Sequence, residues 1–367
     1  MRVQIRFCTL LSFLLLILSF QTLPQTHISS GIVTGKWLKQ NSPYYIDGEI
    51  KIPRGKKLVI EPGVKIIFTG HYKLIVNGIL EAKGTKQDSV YFFPSDTAVG
   101  WHGIRFIEAE NFSTLEYCVL KDGKTDLRPP EVGYIEECIK DPNCDENNYD
   151  GGAILIDQSH PRISHSLITD NKSDMQGAIT IKNNSNPHII FCEIKDNLGG
   201  EGGGIYCENG SNPVIRNSII QGNVGGGLGG GITFKDYCSP LIDSCIIKNN
   251  KVNYRGGGIC FYTNSKPIVK NSIICDNEST LGGGIYIDEF YNVFREQPGK
   301  IDIQIINTRF ENNSAEYGGG IWLRDAMGKL EGSTICYNRA SIAGGEFISN
   351  IIRFYLSFPL KIPVIYL

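Results

Sequence analysis

The sequence predicts an all-β fold, a parallel β-helix solenoid whose short strands wind into stacked coils of about 26 residues. A phrase of glycines followed by an apolar residue recurs along the 367-residue chain. The residue after the glycines falls at Ile154, Ile179, Ile205, Ile232, Ile259, Ile285, Ile321 and Phe347. The intervals are 25, 26, 27, 27, 26, 36 and 26 residues. A nearly fixed period of this size is typical of repeat architectures.

Each repeat contains short alternations of apolar and polar residues and no helical pattern. In one repeat Ile205 and Cys207 alternate after the glycines, and Ile215 follows the turn proline Pro213. Period-2 alternation bounded by Gly, Pro, Asn and Ser indicates strands. Because about 26 residues leave no room for a crossover helix, we expect equivalent strands to stack in parallel, ~4.8 Å apart.

Asparagine recurs in one register after the third strand of each repeat. These ladder positions are Asn171, Asn197, Asn223, Asn250, Asn277, Asn313 and Asn338. At strand spacing, their amide groups can hydrogen-bond along the axis, as amide ladders do in stacked sheets. Asparagine also tolerates left-handed backbone, so we expect these residues to occupy that conformation at a corner.

The repeat resembles a known group. Residues 310–321, FENNSAEYGGGI, resemble the FxxN…GGA(I/L) repeat of chlamydial polymorphic outer membrane proteins. The wider pattern is similar to the pectin-lyase-like right-handed parallel β-helix repeats of exported bacterial proteins, over residues 150–350 and more loosely 45–125. The chain departs from the chlamydial pattern in favouring a third Gly over Ala and Ile over Phe. The resemblance implies a right-handed coil.

The glycine content and the net charge of the chain limit the classes of binding partner to expect. Glycine accounts for 42 residues, above the usual ~7%, which fits several corners per coil. The formal net charge is −2, so we expect neither nucleic acid nor an anionic membrane surface as a partner.

The chain divides into five predicted segments. Residues 1–26 have the charged start and apolar core of a secretory signal peptide, which predicts a secreted or cell-surface protein. Residues 27–122 are an N-terminal cap with the first coils, 123–150 a polar insertion, and 151–350 the β-helix repeats. Residues 351–367 are an apolar tail, either a cap or a truncated reading. It is too short and proline-broken to span a bilayer, so we expect no membrane span in the mature chain.

Eleven cysteines in an exported chain suggest disulfides, but the register opposes most pairings. Cys192 and Cys245 share a register two coils apart, ~9.6 Å by strand spacing, which exceeds the ~7 Å limit between α-carbons. Cys207 is expected to be a small buried residue. Cys138 and Cys144, together in the polar insertion, are the natural candidate pair.

Strand alternation assigns two outward ladders to the strands that follow the glycines. The first is Leu155, Thr180, Tyr206, Thr233, Cys260, Tyr286 and Trp322. The second is Asp157, Lys182, Glu208, Lys235, Tyr262, Asp288 and Arg324.

The charged ladder has two interpretations. Alternating charge is expected of cross-strand pairs that fix register, each worth ~0.2–1 kcal/mol. The other interpretation is an exposed face that binds a linear polysaccharide, with aromatic rings stacking on sugars and charges bonding hydroxyl or carboxylate groups.

The polar insertion offers a candidate calcium loop. Asp141, Asn143 and Asp145 supply oxygens at positions 1, 3 and 5, with Asp150 further on. Position 6 lacks the usual glycine and position 12 lacks glutamate. A solvated polar loop therefore remains the alternative, and the cofactor is either absent or Ca²⁺.

The sequence predicts a non-catalytic exported protein whose long face binds an extracellular polysaccharide or a cell-surface partner in adhesion. The alternative is a polysaccharide lyase or glycoside hydrolase, because the fold hosts both kinds of protein. Three or more Asp or Glu residues converging with a Lys or Arg in a groove would favour the enzyme, and no catalytic residue is assigned from the sequence.

Overall fold

Three long parallel sheets run side by side along the molecule. The computed structural model describes residues 25–127, 145–289, 301–324, 326–345, 347–350 and 353–357. The predicted signal sequence up to residue 24 lies outside these residues, as do Asp141, Asn143, Cys138, Cys144 and most of the apolar tail. Within the described residues each long sheet has twelve strands.

Sheet 1 contains the strands that precede the asparagine ladder. Its strands are Thr26–Ile28, Tyr44–Ile46, Lys65–Phe68, Val90–Pro94, Cys118–Lys121, Leu167–Thr169, Glu193–Lys195, Ile219–Gln221, Ile246–Lys248, Ile273–Cys275, Arg309–Glu311 and Thr334–Cys336.

Sheet 2 contains the strands that follow the glycines. Its strands are Gly31–Ile32, Ile50–Ile52, Leu74–Val76, Ile104–Ile107, Ile154–Asp157, Ile179–Lys182, Ile205–Cys207, Ile232–Phe234, Ile259–Tyr262, Ile285–Asp288, Ile321–Arg324 and Phe347–Asn350.

Sheet 3 contains the strands that follow the turn prolines. Its strands are Gly35–Trp37, Lys57–Ile60, Ile79–Lys83, Thr114–Glu116, Arg162–Ser164, His188–Ile190, Val214–Arg216, Leu241–Asp243, Ile268–Lys270, Asp302–Ile306, Met327–Glu331 and Arg353–Ser357.

Small elements complete the described part of the chain. Two minor parallel sheets contain Leu198–Gly199, Val224–Gly225 and Lys251–Val252, and Ser314–Tyr317 with Arg339–Ala343. The 3-10 helices are Lys39–Asn41 and Glu146–Asn148. Within the described segments, no helix combines the length and apolar character that a membrane crossing requires.

The parallel solenoid predicted from the sequence is confirmed. In sheet 2, Ile179 pairs with Ile205 and Ile205 with Ile232, one coil to the next. The inward isoleucines of this row are fully buried, and Phe234 stacks on Phe261 with ring centroids 5.2 Å apart. The interior is therefore a packed apolar column, as expected where identical positions lie over one another.

The ladder asparagines are joined by hydrogen bonds along the axis. Asn223 Nδ2 donates to Asn250 Oδ1 at 3.0 Å and to the Ile194 carbonyl at 3.0 Å. Asn223 Oδ1 accepts from the backbone N–H of Asn197 at 3.2 Å and from Asn197 Nδ2 at 2.9 Å. The buried amide of Asn223 thus satisfies backbone groups of the preceding coil and bonds to the ladder side chains on both sides.

The expectation of left-handed backbone at the ladder asparagines was wrong by one residue. Positive φ is found at the residue just before each ladder position, namely Asp170, Asp196, Gly222, Asn249, Asp276, Asn312 and Tyr337, with φ between 54° and 65°. The preceding residue makes the turn, which leaves the asparagine side chain pointing inward to its bonds.

The middle glycine of each glycine phrase is required by close approach between coils. A Cβ on Gly230 would lie 2.5 Å from the carbonyl oxygen of Gly257, and one on Gly257 would lie 2.4 Å from that of Gly283. No real Cβ tolerates such contacts, so glycine allows adjacent corners to stack at strand spacing.

Candidate functional site on the outer face of sheet 2

The outer face of sheet 2 carries the predicted ladders, but most of it is covered. The expectation of an open face is wrong at Tyr206 and Tyr286, whose residues are each 1% exposed. Asp157, Lys182 and Asp288 are also buried. Strand alternation predicted the direction in which these side chains point. It did not predict the chain segment that covers them.

The cover is the segment that links sheet 1 to sheet 2 in each coil. Leu228 and Leu281 pack over a cluster that includes Cys260 and Tyr262. From the same segment, the Arg255 guanidinium lies 5.8 Å from the centroid of the Tyr262 ring. The glycines let this segment fold back closely, because glycine lacks the Cβ that would collide with the strand.

A group of seven polar side chains, here the glutamate cluster, lies where this cover meets sheet 2. Its members are Asp150, Gln176, Lys182, Glu201, Tyr206, Glu208 and Lys235. Sheet 2 supplies Lys182, Tyr206, Glu208 and Lys235, the last two from the ends of their strands, so stacking brings three successive coils together. Three carboxylates thus converge with two lysines.

The contacts of the glutamate cluster run from the interior to solvent. Lys182 Nζ donates to Asp150 Oδ2 at 3.0 Å, with these side chains 6% and 3% exposed. The Tyr206 hydroxyl donates to Glu208 Oε2 at 3.1 Å. At the outer end Lys235 Nζ is 4.0 Å from Glu201 Oε2, with both side chains partly exposed.

The environment shifts the proton affinity of two cluster members. Burial raises the pKa of Glu208, an effect that the nearby charges of Lys182 and Lys235 oppose. Burial, reinforced by Glu208 and Glu201, raises the pKa of the Tyr206 phenol well above its usual value. A carboxyl group with elevated pKa beside a neutral phenol can give and take protons.

A second group, here the aromatic cluster, lies further along the same face. Tyr286 stacks on Trp322 with centroids 4.6 Å apart, and its hydroxyl donates to Asp288 Oδ2 at 2.6 Å. Arg324 Nε donates to Asp288 Oδ1 at 2.8 Å, and the Arg324 side chain is 41% exposed. This cross-strand pair occupies the predicted ladder register.

The remaining predicted site residues border the glutamate cluster, and Asp157 is the cross-strand neighbour of Lys182. Asp157 Oδ1 accepts from Asn183 Nδ2 at 2.8 Å. In the calcium hypothesis, Asp145 Oδ1 accepts from the backbone N–H of Asn147 at 3.1 Å. A Ca²⁺ ion at Asp150 Oδ2 would have to displace Lys182. The calcium loop stays a prediction.

A family model for the right handed beta helix region matches residues 97–251 and 228–351. The chain belongs to this family. The family's name agrees with the right-handed coil that the sequence resemblance implied.

This β-helix protein is also similar to solved structures of another protein. The periplasmic alginate epimerase AlgG is 14% identical, with 93% of this chain and 82% of that chain covered and a TM-score of 0.48. A double mutant of AlgG is 14% identical, with 92% of this chain and 74% of that chain covered and a TM-score of 0.44. A further mutant is 15% identical, with 92% of this chain and 86% of that chain covered and a TM-score of 0.41. At these values the matches carry no argument about activity. No curated protein matches the chain.

The structure adds residues that the sequence analysis of this β-helix did not select. Arg105 pairs with Leu155 in sheet 2, so extending the register back to Ile104 would have found it. Gln176, Glu201 and Arg255 lie in the covering segments, each at the residue directly before the glycine phrase. That position is bridged from coil to coil, from Leu228 to Arg255 and from Arg255 to Leu281, so the same register argument would have found it.

Proposed function

We propose that this β-helix protein is an exported enzyme that acts on a uronate-containing polysaccharide, with the glutamate cluster as its active site. The observation that supports it is the convergence of Asp150, Glu201 and Glu208 with Lys182 and Lys235 around the Tyr206 hydroxyl. Charges spread singly along the ladders would have favoured a simple binder instead.

The outer end of the cluster suits the carboxylate of a uronate. Lys235 and Glu201 are 4.0 Å apart, beyond hydrogen-bond length, and both are accessible to solvent. A sugar carboxylate can therefore replace Glu201 as the partner of Lys235. Neutralising that carboxylate makes the neighbouring C–H more acidic, which is the requirement for β-elimination.

Proton transfer would fall to Glu208 and Tyr206. Burial raises the pKa of Glu208 and so brings it closer to neutral pH. Acid–base catalysis is most effective when the pKa of the catalytic group lies near the working pH. The Tyr206 hydroxyl, 3.1 Å from Glu208, can relay a proton. Lys182, held by Asp150 at 3.0 Å, fixes the electrostatic environment from the interior.

The polymer would lie along the helix axis, across successive coils. Trp322 and Arg324, four coils further along sheet 2, are both partly exposed. An aromatic ring and a guanidinium can hold a sugar and its anionic group. The signal-like sequence at residues 1–26 supports an extracellular or cell-surface location for this polymer.

Non-catalytic polysaccharide binding or adhesion is the second candidate. It is favoured by Trp322, which is partly exposed and is held in place by stacking on the buried Tyr286, a binding platform separate from the glutamate cluster. In that case, replacing Trp322 would weaken retention of the protein on an immobilised polymer. Replacing Glu208 would change neither this retention nor the amount of product formed.

The test combines an activity panel with one substitution. The full chain is incubated with pectate, alginate and a heparin-like polymer, and unsaturated products and reducing ends are measured. We expect product from one uronate polymer and a loss of about 10²–10⁴-fold in kcat in Glu208→Gln, because one acid–base group is removed.

The matched control is Glu193→Gln, a change on sheet 1 of the same coil, where Glu193 accepts from Gln221 at 2.7 Å. It should retain full activity. Turnover unaffected in Glu208→Gln would remove the assigned active site. If the unaltered protein is retained on a column of immobilised polymer but forms no product, non-catalytic binding is favoured over the enzyme.

A further inference from the structure

Two histidines and an aspartate meet on the outer face of sheet 2, toward the N-terminal side of the glutamate cluster. His71, His102 and Asp126 each offer a ligand atom, and these atoms all lie within 4.8 Å of one another. The two imidazole rings stack with centroids 4.7 Å apart. His71 Nε2 is 3.1 Å from Asp126 Oδ1.

The hydrogen bond of His102 fixes its tautomer. His102 Nε2 is 2.9 Å from the carbonyl oxygen of Asn148, which can only accept, so Nε2 carries the proton. The Nδ1 lone pair is left for another partner. Metal-bound histidines show the same arrangement, in which the second ring nitrogen donates to a backbone carbonyl.

His71 contributes a second ring nitrogen without a protein partner. Its Nδ1 is buried and accepts or donates no hydrogen bond within the described part of the chain. A buried polar atom of this kind needs a ligand, a water or an ion to satisfy it. Whichever ring nitrogen of His71 faces Asp126, the other is available.

The charges around the site are of both signs, because Arg105 and Lys73 place positive charge near His102 while nearby carboxylates oppose the charge of Arg105. Arg105 is 1% exposed and donates to the Gly151 carbonyl. The charges of Asp150, Asp126 and Asp145 stabilise its guanidinium, so its positive charge is balanced locally. Two imidazoles and one carboxylate form the ligand type preferred by zinc and neighbouring transition metals.

We propose that His71, His102 and Asp126 bind one divalent transition-metal ion, with Zn²⁺ as the probe. His102 would ligate through Nδ1, with a ring nitrogen of His71 and the carboxylate of Asp126 completing the set. Zinc bonds of about 2.0–2.2 Å require the ligand atoms to draw together by small side-chain rotations. Three protein ligands leave a coordination position open to a small ligand.

The test measures metal binding on the purified full chain without any activity assay. The protein is stripped with a chelator and titrated with Zn²⁺ by calorimetry, and bound metal is counted after dialysis. We expect one equivalent, and at least a tenfold loss of affinity in both Asp126→Asn and His71→Gln. These half-exposed positions are chosen because His102 is buried and its replacement endangers folding.

The control is His27→Gln, which removes another histidine–carboxylate contact, His27 with Asp47 at 2.7 Å, that lacks a second histidine. It should bind zinc like the unaltered protein. Circular dichroism verifies the fold of each variant. No stoichiometric uptake, or equal uptake in Asp126→Asn and His71→Gln, would overturn the site.

An independent observation concerns two cysteines. The sulfur atoms of Cys207 and Cys238 are 3.5 Å apart, and both residues are fully buried. Cys238 occupies the corner register that Ser211 and Ser265 hold in neighbouring coils. The sequence analysis excluded pairs in one register and did not consider this contact between a strand and the next corner.

We infer that Cys207 and Cys238 form a disulfide when the chain folds in an oxidising compartment. A disulfide oxidant, such as oxidised glutathione, accepts the two hydrogens and is reduced to two thiols while the sulfur–sulfur bond forms. Because burial of Cys207 raises its pKa and closes access, this exchange would take place before the coil is complete.

The protein is refolded with oxidised glutathione, alkylated under denaturing conditions and digested for mass spectrometry. We expect a cross-linked peptide containing Cys207 and Cys238, two hydrogens lighter than the sum of the free thiol peptides. Cys192 and Cys245, which share a register two coils apart, should be alkylated as a control. Full alkylation of Cys207 and Cys238 would refute the disulfide.

Discussion

At the scale of single residues, Glu208 shows how stacking creates chemistry from ordinary side chains. In its own coil it is a strand-end carboxylate that accepts from Tyr206 at 3.1 Å. The coils on either side add Lys182 and Lys235, and burial raises its pKa against their charges. No single repeat contains this environment, so it exists only in the folded solenoid.

The raised pKa of Glu208 predicts a pH-dependent stability. Between its unfolded and folded pKa values the folded state binds more protons. The contribution of Glu208 to stability is therefore greatest below the unfolded pKa and is lost as the pH rises through the folded pKa. Glu208→Gln lacks that loss. The difference in melting temperature, variant minus unaltered protein, should grow from pH 4 to pH 8, on the order of 1–3 °C.

Thermal unfolding followed by circular dichroism at several pH values checks this expectation. Glu193→Gln again serves as the control, and its difference from the unaltered protein should stay flat. A Glu208→Gln difference that is constant with pH would show that the carboxyl group titrates normally.

At the scale of elements, the asparagine ladder holds sheet 1 to the next corner. The spacing of these residues in the sequence, 25–27 residues apart from one 36-residue interval, puts them in one register, and the bonds of Asn223 reach three neighbouring residues. What the sequence could not give was the position of the turn, because Asp, Asn, Gly and Tyr all occupy the left-handed residue.

Asn223→Ala should destabilise the protein by about 3 kcal/mol or more. The change removes the partner of the Asn197 backbone N–H, of one Asn197 amide hydrogen and of the Ile194 carbonyl, each at a cost of about 1–3 kcal/mol. The urea midpoint measures the global loss, and hydrogen exchange at Asn197 and Asn250 reports whether the opening is local.

The control for the ladder is Asn186→Ala. Asn186 is exposed, donates to the carbonyl of Asn184 at 3.0 Å and accepts at Oδ1 from the backbone N–H of the exposed Asn212 at 3.0 Å. Water can replace both bonds, so the loss should cost about 1 kcal/mol or less. Equal midpoints for the two variants would mean that the ladder contributes no more than a surface contact.

At the scale of the whole molecule, the repeat period was enough to predict the parallel solenoid. Isoleucines one repeat apart in the sequence are direct neighbours on adjacent strands of sheet 2. Direction of side chains followed from strand alternation. Burial of Tyr206 and Tyr286 did not, because alternation along a strand says nothing about the segment that covers the sheet. The residue before each glycine phrase repeats in one register, but its identity changes from coil to coil.

The corner glycines have a consequence for how such a rod can change its length. Gly230 and Gly257 make equivalent close contacts with the next coil. Coils that carry this glycine phrase therefore have equivalent interfaces, and one whole coil can be inserted or deleted without changing how its neighbours pack. The polar groups on the outside lack that freedom. Removing the turn that carries Lys235 would leave the scaffold joined and take away one of the two cations beside Glu208.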